Sequence, residues 1–181
     1  THVMDAPFFI IATQNPVEQE GTYKLPEAQM DRFLFRIRLG YPGIEDERAI
    51  LNLYQSDFES HKIEDVQAVI SAAQLARAQS ITEKVYIQEG LINYIAEIVV
   101  ATRDNADLYL GASPRASLSI MKAAKALALI RGRNFVTPDD IQAVAYPVLD
   151  HRIILSHERE MEGFTPPDII KNIIDKVEVP R

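Results

Sequence analysis

The sequence predicts a mostly α-helical protein in which the remnant of an α/β core, two strands, is followed by an all-helical domain. Three observations carry that expectation. A continuous apolar run and an alternating one lie in the first forty residues, the apolar spacing from Ile44 onward is helical, and three hydroxyl-proline pairs mark helix starts. With 181 residues, 47% of them apolar and 25% charged, the chain has a globular composition and enough length for one large domain or two small ones.

Phe8-Phe9-Ile10-Ile11-Ala12, bounded by Pro7 and Asn15-Pro16, has the pattern of a strand buried on both faces of a parallel sheet. Pro26 at a first helical position opens a short helix over 26–31. Phe33-Leu34-Phe35-Arg36-Ile37-Arg38-Leu39 alternates apolar and basic residues, as a strand with one wetter face does, and Gly40-Tyr41-Pro42-Gly43 breaks the chain. Helices are expected at about 44–55, 65–78, 88–104, 114–131, 138–149 and 167–177. Leu91, Ile95, Ile98, Val99 and Thr102 form one face of the third, and Ile120, Ala124, Leu127 and Ala128 one face of the fourth. Ser113-Pro114, Thr137-Pro138 and Thr165-Pro166 each place a hydroxyl cap before a proline at the first helical position.

Nineteen basic residues against 26 acidic ones leave a net charge of −7 without a local Lys/Arg cluster, which argues against a nucleic-acid partner. The absence of cysteine excludes disulfides, thiolate metal sites and a cysteine nucleophile, and is compatible with a cytoplasmic location. Apolar runs are far shorter than the ~20 residues of a spanning helix, so membrane insertion is not expected. The opening Thr1 suggests a start partway into a longer gene product.

None of the seven glycines is followed by lysine, so the chain contains no phosphate-cradling loop of the glycine-lysine type. His157-Glu158-Arg159-Glu160-Met161 begins like a zinc-protease helix but has Met161 where the second histidine belongs. Gly111-Ala112-Ser113-Pro114-Arg115 begins like a nucleophile elbow but lacks its second glycine, and helix capping accounts for Ser113 better. His151 and His157, six apart, are a poor helical metal pair and read as structural; no metal ligands are expected.

Three residues are placed for work on a phosphate. Asn15 follows a buried strand, where open α/β sheets bind ligands, and its amide suits the orientation of a water; equally, Asn-Pro ends a strand by turning the chain. Arg32 stands between a short helix and a strand. It reads either as a boundary arginine paired with Asp31 or as an arginine finger for a phosphoryl transition state, a role in which lysine's point charge is no substitute. Arg115 lies in the first turn behind the Ser113 cap, where the helix dipole disfavours a cation. An anion bound at that helix start would reverse the sign.

Taken together, Pro7-Phe8-Phe9-Ile10-Ile11-Ala12-Thr13-Gln14-Asn15-Pro16, Glu18-Gln19-Glu20-Gly21-Thr22-Tyr23 and Leu25-Pro26-Glu27-Ala28-Gln29-Met30-Asp31-Arg32-Phe33 closely resemble the MoxR family of AAA+ ATPases. So do Gly111-Ala112-Ser113-Pro114-Arg115-Ala116 and Val136-Thr137-Pro138-Asp139-Asp140-Ile141, in the same order and at the right distances. The resemblance implies that residues 1–40 are the last part of the nucleotide-binding core and 41–181 the helical lid. Asn15 matches the sensor 1 position, Arg32 the arginine finger and Arg115 sensor 2, which in related clades acts within its own subunit or across the interface. Implied for the intact protein are ATP and Mg2+, self-association into a ring, expected to be a hexamer, and a partner with a von Willebrand A-type domain.

The implied activity is ATP-driven, chaperone-like remodelling or maturation of protein complexes. The family's phosphate loop and magnesium-binding acids would lie before Thr1, so this chain alone is expected neither to hydrolyse ATP nor to bind it tightly. Two other readings stand beside it, a non-enzymatic helical adaptor derived from such a lid and a DNA-translocating relative of helicases. In the family's sheet the strand leading to the phosphate loop separates the two strands read above. Without it they are expected to re-pair, to exchange with another copy, or to leave the first segment irregular.

Overall fold

The computed structural model describes residues 7–14, 25–55 and 66–180. In chain order the elements are α1 (Glu27–Met30), α2 (Ile44–Tyr54), α3 (Ala72–Glu83), α4 (Glu89–Arg103), β1 (Leu108–Leu110), α5 (Pro114–Ile130), α6 (Pro138–Leu149), β2 (Ile154–Leu155), α7 (His157–Met161) and α8 (Pro166–Lys176). The chain forms two compact units, one made of Thr1–Phe8 with Ile37–Arg77, the other of Phe9–Arg36 with Ala78–Arg181. The protein is mostly α, as expected.

Neither expected strand forms: residues 8–14 and 35–43 have no regular structure. A strand is stable only within a ladder, and among the described residues neither segment has a strand beside it. Irregularity is therefore the outcome found for the first segment, where Phe9 and Ile11 are 80% and 81% exposed. The only ladder among the described residues is one that was not expected, the antiparallel β1–β2 pair with Leu108 opposite Leu155 and Leu110 opposite Ile154.

In the smaller unit α2 starts behind Gly43, whose N–H donates to the Asp46 carboxylate at 3.2 Å, and buries no residue. The helix expected at 65–78 begins instead at Ala72. Ser71 and Gln74 cap each other's backbone, Gln74 N–H donating to Ser71 Oγ at 3.2 Å and Ser71 N–H to Gln74 Oε1 at 2.8 Å. Residues 66–71 stay outside the helix accordingly.

In the larger unit α4, α5, α6 and α8 pack around one core of Ile98, Ile120, Ile141, Leu149, Ile169 and Ile170, all fully buried. Each such side chain contributes roughly 1.5–3 kcal/mol relative to exposure. The fully buried Tyr94 keeps its hydroxyl satisfied by accepting from Gln142 Nε2 at 3.0 Å.

All three expected helix starts are found. Ser113 Oγ accepts from the N–H of Arg115, while Thr137 with Asp140 and Thr165 with Asp168 form reciprocal capping boxes. Asp140 is fully buried and meets two guanidinium groups, Arg131 at 2.9 Å and Arg133 at 2.6 Å.

The entry to α5 is fixed by a close backbone approach. A Cβ on Gly111 would stand 2.6 Å from the carbonyl oxygen of Thr102 and 2.7 Å from Arg103 Cα, so only glycine fits against the end of α4. Thr102 Oγ1 accepts from Ala112 N–H at 2.9 Å, and Arg103 Nε donates to the Ala112 carbonyl at 2.9 Å. Because the obstructing atoms are backbone, Gly111→Ala is expected to cost about 1–3 kcal/mol, read as a lower urea midpoint; an unchanged midpoint contradicts the close packing.

Candidate functional site

The larger unit brings the turn after α1 to two helix ends, the start of α5 and the finish of α6. Asp31 lies at the meeting point. Its carboxylate accepts from Ser113 Oγ at 3.0 and 3.1 Å, from an Arg115 terminal nitrogen at 2.8 Å, and from Arg152 Nε at 3.0 Å. Partial burial raises the carboxyl's pKa, but the hydrogen bonds from Ser113, Arg152 and Arg115 outweigh it and hold the group below the usual carboxylate range.

The helix dipole disfavours the Arg115 cation in the first turn of α5 unless an anion offsets it. Asp31 does so directly, as an anion at the positive end of the helix. The Arg115 side chain remains 53% exposed.

Arg152 stands at the other helix end. Its side chain is 1% exposed and every N–H of the guanidinium has an acceptor. Nε meets Asp31, one terminal nitrogen meets the carbonyls of Leu34 and Val148, and the other meets the carbonyls of Asp31 and Phe33 together with Ser119 Oγ. Burial lowers the group's pKa and Asp31 partly restores it.

The final carbonyls of α6 are thereby satisfied. Tyr146 accepts from Asp150 N–H, Pro147 from Arg36 N–H, Val148 from the Arg152 side chain and Leu149 from Arg152 N–H. A cation at the negative helix end is the favourable placement. Arg36 adds an ion pair to Asp150 at 3.5 Å.

His151 is buried and its Nε2 lies 3.0 Å from the Phe33 carbonyl. A carbonyl only accepts, so Nε2 carries the proton, and Nδ1 is buried without a partner. Burial, then the charge of Arg152, push its pKa down, so the ring is neutral at pH 7. His157, by contrast, is exposed in α7.

Arg32 is exposed on this turn, and among the described residues its guanidinium has no hydrogen bond or ion pair. Its neighbour Asp31 is engaged elsewhere, so the local Asp31–Arg32 pair is not the arrangement found. Asn15 lies outside the described residues. No group of three or more His, Asp or Glu that could hold a metal ion occurs among the described residues. Nor is any helix among them long and apolar enough to cross a membrane.

Residues 1–35 match the model of the ATPase family associated with various cellular activities (AAA), and residues 100–173 match that of the AAA lid domain. The Mycobacterium tuberculosis chaperone MoxR1 is 39% identical over all of this chain and 49% of its own length. The chain belongs to the MoxR family of AAA+ ATPases. Its relatives include the uncharacterized protein YeaC of Bacillus subtilis, 45% identical over 96% of this chain and 53% of that protein. A crystal structure of a candidate ATPase from Cytophaga hutchinsonii superposes with a TM-score of 0.88 at 40% identity, over 99% of this chain and 56% of that one. The chain thus spans about half the length of these relatives.

Sequence reasoning missed the two residues that organise this turn. Asp31 reads locally only as a neighbour of Arg32, and Arg152 carries no local signal of its own. Residues 31 and 152 are 121 positions apart, and no spacing rule connects them.

Proposed function

We propose that this chain is part of a ring-forming ATPase that couples ATP binding and hydrolysis to chaperone-like remodelling or maturation of protein complexes. In the intact molecule residues 1–40 complete the nucleotide-binding core and residues 41–181 form the lid. Asn15 orients the attacking water, Arg32 is the arginine finger acting on ATP held by the adjacent subunit of a hexamer, and Arg115 contacts the nucleotide phosphates. ATP and Mg2+ are the cofactors, the ring works in the cytoplasm, and a protein with a von Willebrand A-type domain is its partner. The nucleotide's phosphate loop and magnesium ligands come from outside this chain.

One observation supports the reading above the others. The Asp31 carboxylate links the turn bearing Arg32 to the first turn of α5 bearing Arg115, so one compact unit presents both cations near a helix start. Such a group suits a triphosphate, whose charge is recognised by guanidinium forks and helix N-termini.

The test is ATP binding by calorimetry and turnover in the full-length gene product. Arg115→Ala is expected to weaken ATP binding roughly tenfold or more, the scale of a lost hydrogen bond to a charged group. Unchanged affinity and rate remove Arg115 from the site. Asn15→Ala is expected to lower the rate more than the affinity.

A further inference from the structure

Burying an arginine is costly, and an apolar side chain of similar volume often serves stability as well. What Arg152 holds is therefore informative. The nitrogen that meets Asp31 O at 3.0 Å and Phe33 O at 2.6 Å grips the carbonyls of the residues directly before and after Arg32. The other terminal nitrogen takes the Leu34 carbonyl at 3.1 Å, and Nε takes the Asp31 carboxylate. The backbone on both sides of Arg32 is pinned from within, while the Arg32 side chain itself projects to solvent without a partner among the described residues.

We propose that Arg152 is a positioning residue for the ATPase reaction, one that aims Arg32 by clamping the carbonyls flanking it. The proposal rests on the reading of Arg32 as the arginine finger. Its chemical content is geometric. A finger contributes only where its guanidinium meets the transferring phosphoryl group in register, and a misplacement of about 1 Å from a change away from the chemistry costs ~10²-fold in rate. Lysine, with three donors on one point, cannot span acceptors spread over a carboxylate, four carbonyls and a hydroxyl.

The test uses the full-length protein, assembled and assayed for steady-state ATP hydrolysis, with Arg152→Lys alone and in an Arg32→Ala background. Arg152→Lys is expected to lower kcat by about 10²-fold with KM for ATP within about twofold. In the Arg32→Ala background it is expected to change the residual single-turnover rate by less than about twofold, because there is no finger left to aim. Equal losses in both backgrounds, or a kcat within about twofold of the parent in assembled rings, overturn the proposal.

If Arg152→Lys does not assemble, Asp31→Asn carries the same comparison. It removes the charge that orients the Arg152 guanidinium, and, measured in an Arg115→Ala protein so that the broken Asp31–Arg115 link adds nothing, a fall in kcat confined to the background that retains Arg32 is again the expected result. The two readings fail separately. Full turnover in Arg32→Ala removes the finger and this inference with it, whereas loss of turnover there with unaffected Arg152→Lys and Asp31→Asn removes only the role of Arg152.

Discussion

Arg32→Ala is expected to reduce ATP turnover of the full-length protein by about 10³-fold or more while ATP binding stays within about twofold, since an arginine finger contributes ~10³–10⁵ in rate. The structure gives a physical reason to expect the split. The Arg32 side chain makes no hydrogen bond or ion pair among the described residues that its removal would break, and the turn beneath it is held by Arg152 and His151. A variant that loses binding and turnover in equal measure, or that fails to assemble, would instead assign Arg32 a structural role. Single-turnover hydrolysis set beside equilibrium binding of ATP distinguishes these results.

The largest expected effect on stability belongs to Asp140. Its carboxylate is fully buried and closes the cap of α6 with Thr137, whose N–H donates at 2.9 Å, while binding Arg131 and Arg133. Asp140→Ala strands both cations and opens the cap, for an expected loss of about 3–5 kcal/mol. Arg131 is 45% exposed and recovers solvent, which places the result toward the lower figure.

Burial alone would raise the carboxyl's pKa, but the hydrogen bonds from Arg133 and Thr137 push it down from 3.8 to about 2. A folded pKa below the unfolded one means that this stabilisation is complete above pH 3.8 and lost as pH falls through about 2. The loss over that window is about 2 kcal/mol. Asp140→Asn, which cannot titrate, is expected to flatten the acid limb of the stability curve; an unaltered limb contradicts the depressed pKa.

What the sequence revealed was what neighbouring residues decide. Ser113-Pro114, Thr137-Pro138 and Thr165-Pro166 specify helix starts because cap and fixed φ act over one turn, and all three are found. Ser71 and Gln74 carried the same kind of signal for α3, which the apolar spacing of the preceding residues obscured. The strands expected at 8–12 and 33–39 do not form because a strand depends on a partner elsewhere in the chain, and two or three residues of β1 and β2 are too few for a period to register. Arg115 could be singled out by its unfavourable place on the helix dipole. The group that resolves it, Asp31 clasped by Arg152, is a long-range contact invisible to any local rule.

The central claim is that Arg32 serves a nucleotide held by its neighbour, and mixing two inactive proteins tests it most directly. One carries Arg32→Ala and still binds ATP; the other retains Arg32 but has lost the phosphate-loop lysine of the full-length protein and binds none. Mixed rings are expected to regain part of the parental ATPase rate, because some sites then combine bound ATP with an intact finger from the next subunit. Mixed rings that form and stay inactive at every ratio would contradict it.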